Sequence, residues 1–350
     1  MNIFSKNYYQ KLHYSKAPKM GAFEFCLRFC EFFVSSFVNL KNLAYEKGFL
    51  KEEKVNAFVI CVGNLTTGGV GKTPIVSTLA NEYSKTKKTA IISRGYGAKI
   101  STKEPVVVKD FDEIKFENGL ICGDEPYQLA KNSSKNTVII ICSNRKKSAQ
   151  LAVEKYGCEI IIMDDGFSNR KLKKDKTILV LDSKMQFGNK HLLPFGPLRE
   201  PIKEIKRINE VVFVDKGNEN LENDLLELKE MFKNYPQKIC SMEPDYIYNL
   251  ETKAKVKNFN KAIAFCAIGS SEQFFNFAKK FYQLEDKISF DDHHKYTKND
   301  ILKLVKLAQE KGVTSFITTQ KDETKLKEFV EYFNGCSFSV LKLKVTLKDI

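Results

Sequence analysis

Apolar residues between positions 58 and 215 fall in short unbroken runs: FVICV (58–62), TAII (89–92), VIIIC (138–142), EIIIMDDG (159–166), TILVLD (177–182) and VVFVD (211–215). Between two of these runs, PIVSTLANEYS (74–84) places Ile75, Val76, Leu79, Ala80 and Tyr83 on one helical face. Continuous apolar strands separated by amphipathic helices predict a mostly parallel sheet covered on both faces. VVFVD is expected to close that sheet. Residues 183–201, with Gly188, Gly196 and three prolines, read as a loop or hinge. Near Lys261 a second α/β unit begins as strand, turn and helix, followed by ISFDDHHKYT, a helix at 299–311 and SFITTQKD. The expected organisation is an amino-terminal region (1–45), an α/β domain (46–215) and a smaller α/β domain (216–350).

Residues 20–42 carry a different period. Glu24, Arg28, Glu31, Ser35, Asn39 and Asn42 recur every three or four positions, and phenylalanines and aliphatics fill most of the remaining circumference. A helix here has one narrow polar line. Crossing a bilayer would cost about 2.5–3.5 kcal/mol for each central charge, against about 0.3–0.6 returned by each of the best apolar residues. A helix lying in the headgroup region, flanked by lysines, fits better, with packing against the protein's own core as the alternative. No small-residue cleavage site follows, so a cleaved signal peptide is not expected.

Composition changes this picture in two places. The formal charge of +14 favours anionic partners, whether lipid, phosphorylated substrate or nucleic acid, although a genome that writes Lys for Arg would leave the same trace. The nine cysteines are odd in number, lack a CxxC pair and often sit inside apolar strands, so they read as reduced core thiols.

The chemistry gathers where strands end, which is where parallel sheets bind ligands. FVICV runs into GNLTTGGVGKTP, a strand, glycine loop and helix start. Thr66, Thr67, Gly68, Gly69, Val70, Gly71, Lys72 and Thr73 form a phosphate-binding loop in this reading. Its amides and the helix N-terminus face phosphate oxygens, Lys72 reaches the β- and γ-phosphates, and Thr73 offers a hydroxyl to magnesium. The usual first glycine is replaced by Thr66. ICGDEP (121–126) places Asp124 and Glu125 in a loop, where one carboxylate can sit near magnesium and the other take a hydroxyl proton. MDDG sets Asp164 and Asp165 at a strand end, the place of a magnesium-associated acid. FDDHHKY (290–296) brings two histidines beside Asp291 and Asp292, a group equally readable as a surface loop.

In this order, VGNLTTGGVGKTP, SRGYG, GDEP, DDGF, FGNKHLLPFGPLREP, the DHH segment and TQKD resemble the tetraacyldisaccharide 4'-kinase family from Val62 to about Asp322. The resemblance implies a membrane-associated P-loop kinase with two α/β domains and an amino-terminal hydrophobic helix. Its cofactors would be ATP and Mg2+, and its acceptor an acylated glucosamine disaccharide 1-phosphate. It implies Asp124 as general base partnered by His293, and Lys72 as catalytic lysine. Thr73, Glu125, Asp164 and Asp165 stand on the metal side, and Arg94, Tyr96 and Arg199 at the sugar-phosphate headgroup. It further implies a peripheral location at the cytoplasmic face of a bacterial inner membrane through residues 20–42, with no nucleic acid and no obligate protein partner. Where the family carries glutamine after DDGF or DDGL, this chain has Ser168.

Two other classes compete. TQKD (319–322) matches the guanine-reading pattern of a GTP-binding switch or metallochaperone, but Gly166 follows Asp164 by two residues where DxxG needs three. A nucleic-acid-dependent ATPase rests on charge alone and leaves the phenylalanine-rich helix without a role.

Overall fold

The computed structural model describes residues 6–15, 21–215, 221–256, 260–269, 271–291, 294–333 and 335–350. Two helices come first, α1 (Lys6–His13) and α2 (Ala22–Glu46). The first α/β unit contains β1 (Phe58–Gly63), α3 (Lys72–Tyr83), β2 (Thr89–Ser93), β3 (Val106–Lys109), α4 (Gly119–Cys122), α5 (Asp124–Asn132) and β4 (Thr137–Ile141). It continues through α6 (Arg145–Glu154), β5 (Ile160–Asp164), β6 (Lys176–Asp182), β7 (Glu210–Asp215) and α7 (Leu221–Met231). After β8 (Gln237–Asn249) and β9 (Lys255–Val256), the second unit holds β10 (Lys261–Cys266), α8 (Ser271–Ala278), β11 (Gln283–Ser289) and α9 (Lys298–Glu310). It ends with β12 (Ser315–Thr319), α10 (Gln320–Leu326) and β13 (Ser337–Asp349).

The described strands form one sheet in the order β11-β10-β12-β13-β8-β7-β6-β1-β5-β2-β4-β3, with β9 against β8. The central pairs β6–β1, β1–β5, β5–β2 and β2–β4 are parallel, and each residue of β2, β4 and β5 is buried. Burial on both faces explains why these strands read as unbroken apolar runs rather than alternating ones.

The sheet does not close at VVFVD. β8 lies parallel to β7 on its far side, pairing Val211 with Gln237 through Asp215 with Ser241. β8 then runs on past the end of β7 and pairs antiparallel with β13, from Lys238–Asp349 to Asn249–Ser339. Cys240 and Val345 sit in the core under α3, while Tyr248 and Val340 belong to the core of the second unit. Two strands of thirteen residues each therefore tie the units together. Their segments lack the compact apolar signature of the parallel strands because their middles are only half-buried. Packing also runs beyond residue 215, since Leu225, Leu228 and Phe232 share a cluster with Val211 and Phe213.

Seven of the nine cysteines are buried or partly buried, in keeping with core thiols, but Cys26 and Cys30 are exposed on α2. That helix packs in an unusual sense. Its polar line, with Leu27 and Val38, faces the protein, where Glu31 and Asn42 are buried. Glu31 Oε1 accepts the Leu192 amide at 2.9 Å and lies 3.0 Å from His191 Nδ1. Phe25, Phe29, Phe32, Phe33, Phe37, Leu40 and Leu43 face outward, and Phe37 is 70% exposed. No helix among the described residues is long and apolar enough to cross a membrane.

Candidate active site

The glycine loop, Arg94 and the Asp164–Asp165 pair are delivered at the ends of strands β1, β2 and β5, whereas Asp124 and Glu125 follow helix α4. β1 leads into the glycine loop, and α3 opens with Lys72 and Thr73. Gly71 has φ +91°, and a Cβ there would lie 2.9 Å from the Met242 methyl. That backbone conformation calls for glycine. Thr66 does not. Its backbone forms a bridge with Leu198, it has no positive φ, and the neighbouring Thr67 amide donates to Pro197 O at 2.7 Å. The segment 197–199 thus braces the loop where a glycine usually turns it.

Lys72 Nζ donates to Asn64 Oδ1 at 3.0 Å and stands 3.6 Å from Asp165 Oδ1. Arg199 reaches the same pair from the other side. Its Nη1 and Nη2 donate to both Asp165 oxygens at 2.9 and 2.7 Å, and Nη2 also donates to Asn64 O at 3.1 Å. Arg199 therefore braces the floor of the glycine loop through Asp165 and Asn64, and Asn64 is a participant that sequence reasoning missed.

The two acids ending β5 are driven apart. Burial, helped by the negative charges of Glu125 and Asp165, pushes the Asp164 carboxyl up to about 7 against Lys72 and Arg145. Burial acts the same way on Asp165, but the Arg199 hydrogen bonds and the charges of Lys72, Arg199 and Arg145 overcome it and hold that carboxyl down at about 2. Asp165 also sits at φ +51°, a strained setting for a residue with a Cβ and one that clusters at functional sites. Arg145, 5% exposed at the start of α6, donates to Cys142 O at 2.9 Å and Asp164 O at 3.3 Å, fixing the strand end from behind.

Asp124 and Glu125 occupy the first turn of α5, not a loop. Gly123, at φ +97°, makes the sharp entry, and Pro126 is tolerated in a first helical turn because its missing N–H would have no partner there. Carboxylates at this end also complement the helix dipole. Both line a cavity of about 240 Å³ with Tyr96, Lys99, Lys295, Tyr296 and Lys325. Lys325, on α10, is a second missed residue. Its buried Nζ makes no hydrogen bond and lies 3.9 Å from Asp124 Oδ2 and 3.7 Å from Asp322 Oδ1. Nothing in the sequence marks it, because its meaning arises only when the second unit folds over α5.

Tyr96 is exposed at the rim of this cavity, and Arg94 is exposed at the end of the preceding strand. Asp292 and His293 lie outside the described residues. His294 is described, and its Nε2 lies 3.1 Å from Asp300 Oδ2 in the first turn of α9. Asp322 of TQKD is fully buried, accepting from Ala267 N at 3.0 Å and Thr319 Oγ1 at 2.7 Å. A carboxylate so engaged is turned into the second unit, which leaves the guanine-reading pattern without its reader.

A family model for tetraacyldisaccharide-1-P 4'-kinase matches residues 23–349. The chain belongs to this family. A tetraacyldisaccharide 4'-kinase of Halothermothrix orenii is 32% identical over 347 residues, covering 93% of this chain and 89% of the relative. One from Francisella tularensis is 35% identical over 311 residues, covering 84% and 88%. Among solved structures, the crystal structure of LpxK from Aquifex aeolicus in complex with ATP superposes with a TM-score of 0.72 at 31% identity, covering 93% of this chain and 95% of that one. The kinase and fold expectations of the sequence hold.

Proposed function

We propose that this kinase transfers the γ-phosphoryl group of ATP to the 4'-hydroxyl of an acylated glucosamine disaccharide 1-phosphate. The observation that carries this reading is the arrangement of two carboxylate pairs around one phosphate loop. One pair lies beside Lys72, and the other opens into a cavity large enough for a sugar hydroxyl to approach.

Phosphoryl transfer is mainly a problem of placing the reactants and stabilising charge. Loop amides and the N-terminus of α3 cradle the phosphates, and Lys72 moves from Asn64 and Asp165 to the transferring group. Asp124 accepts the hydroxyl proton as the new O–P bond forms and the bond to the departing ADP oxygen breaks. Lys325 keeps a positive charge beside that carboxylate. His293 is assigned as its partner by the family resemblance.

The donor set suits magnesium. Asp164 Oδ1 is buried without a hydrogen-bond partner, and the family resemblance assigns Thr73, Glu125 and Asp165 to the same metal side. Among the described residues no group of three or more His, Cys, Asp or Glu could hold a metal ion. When bound, magnesium neutralises charge on the nucleotide phosphates.

Arg94 and Tyr96 are assigned to the acceptor headgroup, and Arg199 to bracing the loop. The outward phenylalanines of α2 are assigned to the lipid surface from which the acylated acceptor is presented, at the cytoplasmic face of the inner membrane. Burying one phenylalanine contributes about 1.5–3 kcal/mol. Replacing Phe29 and Phe33 with serine is therefore expected to lower partition onto anionic lipid vesicles at least tenfold in a sedimentation assay.

The direct test is a γ-labelled ATP assay with detergent-dispersed disaccharide 1-phosphate. Label is expected in the lipid with the parent protein and not with Lys72→Ala. An unlabelled lipid, with the parent still binding ATP, would remove the kinase reading.

A further inference from the structure

The polar line of α2 leads to the phosphate loop. Glu200 is fully buried, directly after Arg199 in the chain. Two residues of α2 hold it: Asn42 Nδ2 donates to Oε2 at 2.8 Å, and Lys41 Nζ pairs with Oε1 at 3.0 Å. Arg207 stands farther off, at 3.7 Å. Asn42 itself is 2% exposed. An amide and an ammonium directed at one buried carboxylate fix the chain at Glu200, because a carboxylate out of water is costly unless paired.

The next residue inward is the clamp. Arg199 N donates to Leu65 O at 2.7 Å, and its guanidinium bridges Asp165 and Asn64, the two groups on which Lys72 rests. Four consecutive steps thus join a helix whose far side is a row of exposed phenylalanines to the lysine that meets the nucleotide. Each step is a direct contact or a peptide bond.

From this continuity we infer that Asn42 and Lys41 are positioning residues for the nucleotide site. Through Glu200 they set the height of Arg199, so the seating of α2 determines how the loop holds triphosphate. This rests on the reading of the loop as the ATP site. It adds that the membrane-facing helix is also a structural part of that site, and not only an anchor. The ligand concerned is the nucleoside triphosphate. The lipid acceptor enters only through α2.

The experiment compares Asn42→Leu with Phe33→Ser, which alters the opposite, exposed side of the same helix. Labelled ATP binding is measured by equilibrium dialysis in detergent without acceptor, alongside melting temperature and steady-state kinetics. Asn42→Leu is expected to weaken ATP binding and raise the KM for ATP about tenfold, a common size for coupling between sites, while the KM for acceptor stays the same. Phe33→Ser is expected to leave ATP affinity unchanged and lower vesicle binding. A merely structural role would lower the melting temperature without this selective change in one KM.

Asn42→Leu is also expected to add nothing in a Glu200→Gln background, since both act through one contact. Should Asn42→Leu fail to fold, Lys41→Met, at a more exposed site, carries the same expectation at smaller size. Parent-like ATP affinity in folded Asn42→Leu or Lys41→Met would overturn the inference. If the parent protein itself bound no ATP, the failure would lie in the nucleotide reading, and it would be recognised by the parent's inactivity.

Discussion

The two carboxylate pairs of the site are built in opposite ways. Asp164 and Asp165 end a fully buried strand, held on one side by Lys72 and Arg199 and on the other by Arg145. Asp124 and Glu125 begin a helix at the edge of a cavity, and Lys325, 3.9 Å from Asp124, comes from the second unit. One pair and its cations lie within a single unit, whereas the other gains Lys325 only when two units meet. The difference suggests a division of labour. In the proposed mechanism the strand pair holds phosphate and metal in a preset geometry, and the helix pair acts on a substrate that must enter and leave.

The sharpest way to break this comparison is Asp124→Asn. The substitution keeps size and removes the base, so turnover should fall about a hundredfold to ten-thousandfold. ATP affinity by equilibrium dialysis should stay near that of the parent. Equal loss in both would erase the distinction between the pairs.

Lys325→Met addresses the same pair from across the gap. A charge pair near 4 Å in partly screened surroundings is worth at most a few kcal/mol, so a turnover loss of about tenfold is expected, again with ATP binding intact. A parent-like rate would show that α10 only packs there.

Asp164→Asn tests the strand pair through stability. Burial disfavours the ionised carboxylate, so in the folded protein it protonates near pH 7 rather than at its ordinary 3.8. Ionisation therefore costs the native state increasingly as pH rises from 3.8 to about 7. The variant should melt above the parent at pH 8 with chelator present, and the gap should shrink as pH falls toward 4. A gap independent of pH would contradict that environment.

The smallest effect concerns the contact between the units. Glu323 on α10 meets Lys131 of α5 at 3.3 Å and the Tyr248 hydroxyl at 2.6 Å. Burial acts to raise its carboxyl, but Lys253, Tyr248 and Lys131 outweigh burial and hold it below the ordinary 4.5. Its stabilisation is present above pH 4.5 and is lost as pH drops through the lowered value. Acid unfolding of Glu323→Gln should show a shallower pH dependence than the parent below that point.

How legible these regions were follows from the same contrast. The glycine loop and Asp164–Asp165 each stand at the end of a continuously apolar strand, so period and punctuation reveal them. Asp124 and Glu125 were visible as chemistry but misplaced in a loop, because a proline after two acids reads as a breaker although it fits a first helical turn. Lys325 carries no local signal, and Asn64 and Glu200 lie inside GNLTTGGVGKTP and PLREP with nothing there to mark their roles. Their roles come from contacts across long separations in sequence, such as Asn42 with Glu200. The polar line of α2 was read correctly as a line, but its direction could not be: it faces the protein, and the phenylalanines face out. Amphipathic period locates two faces without saying which is buried.

The central claim is that phosphate leaves the Lys72 side and arrives at a hydroxyl facing Asp124. The most direct measurement uses a disaccharide 1-phosphate in which hydrogen replaces the 4'-hydroxyl, assayed with γ-labelled ATP beside the normal acceptor. The account predicts label in the normal lipid alone, with the deoxy analogue acting as a competitive inhibitor. Label appearing in the analogue at a comparable rate would contradict it.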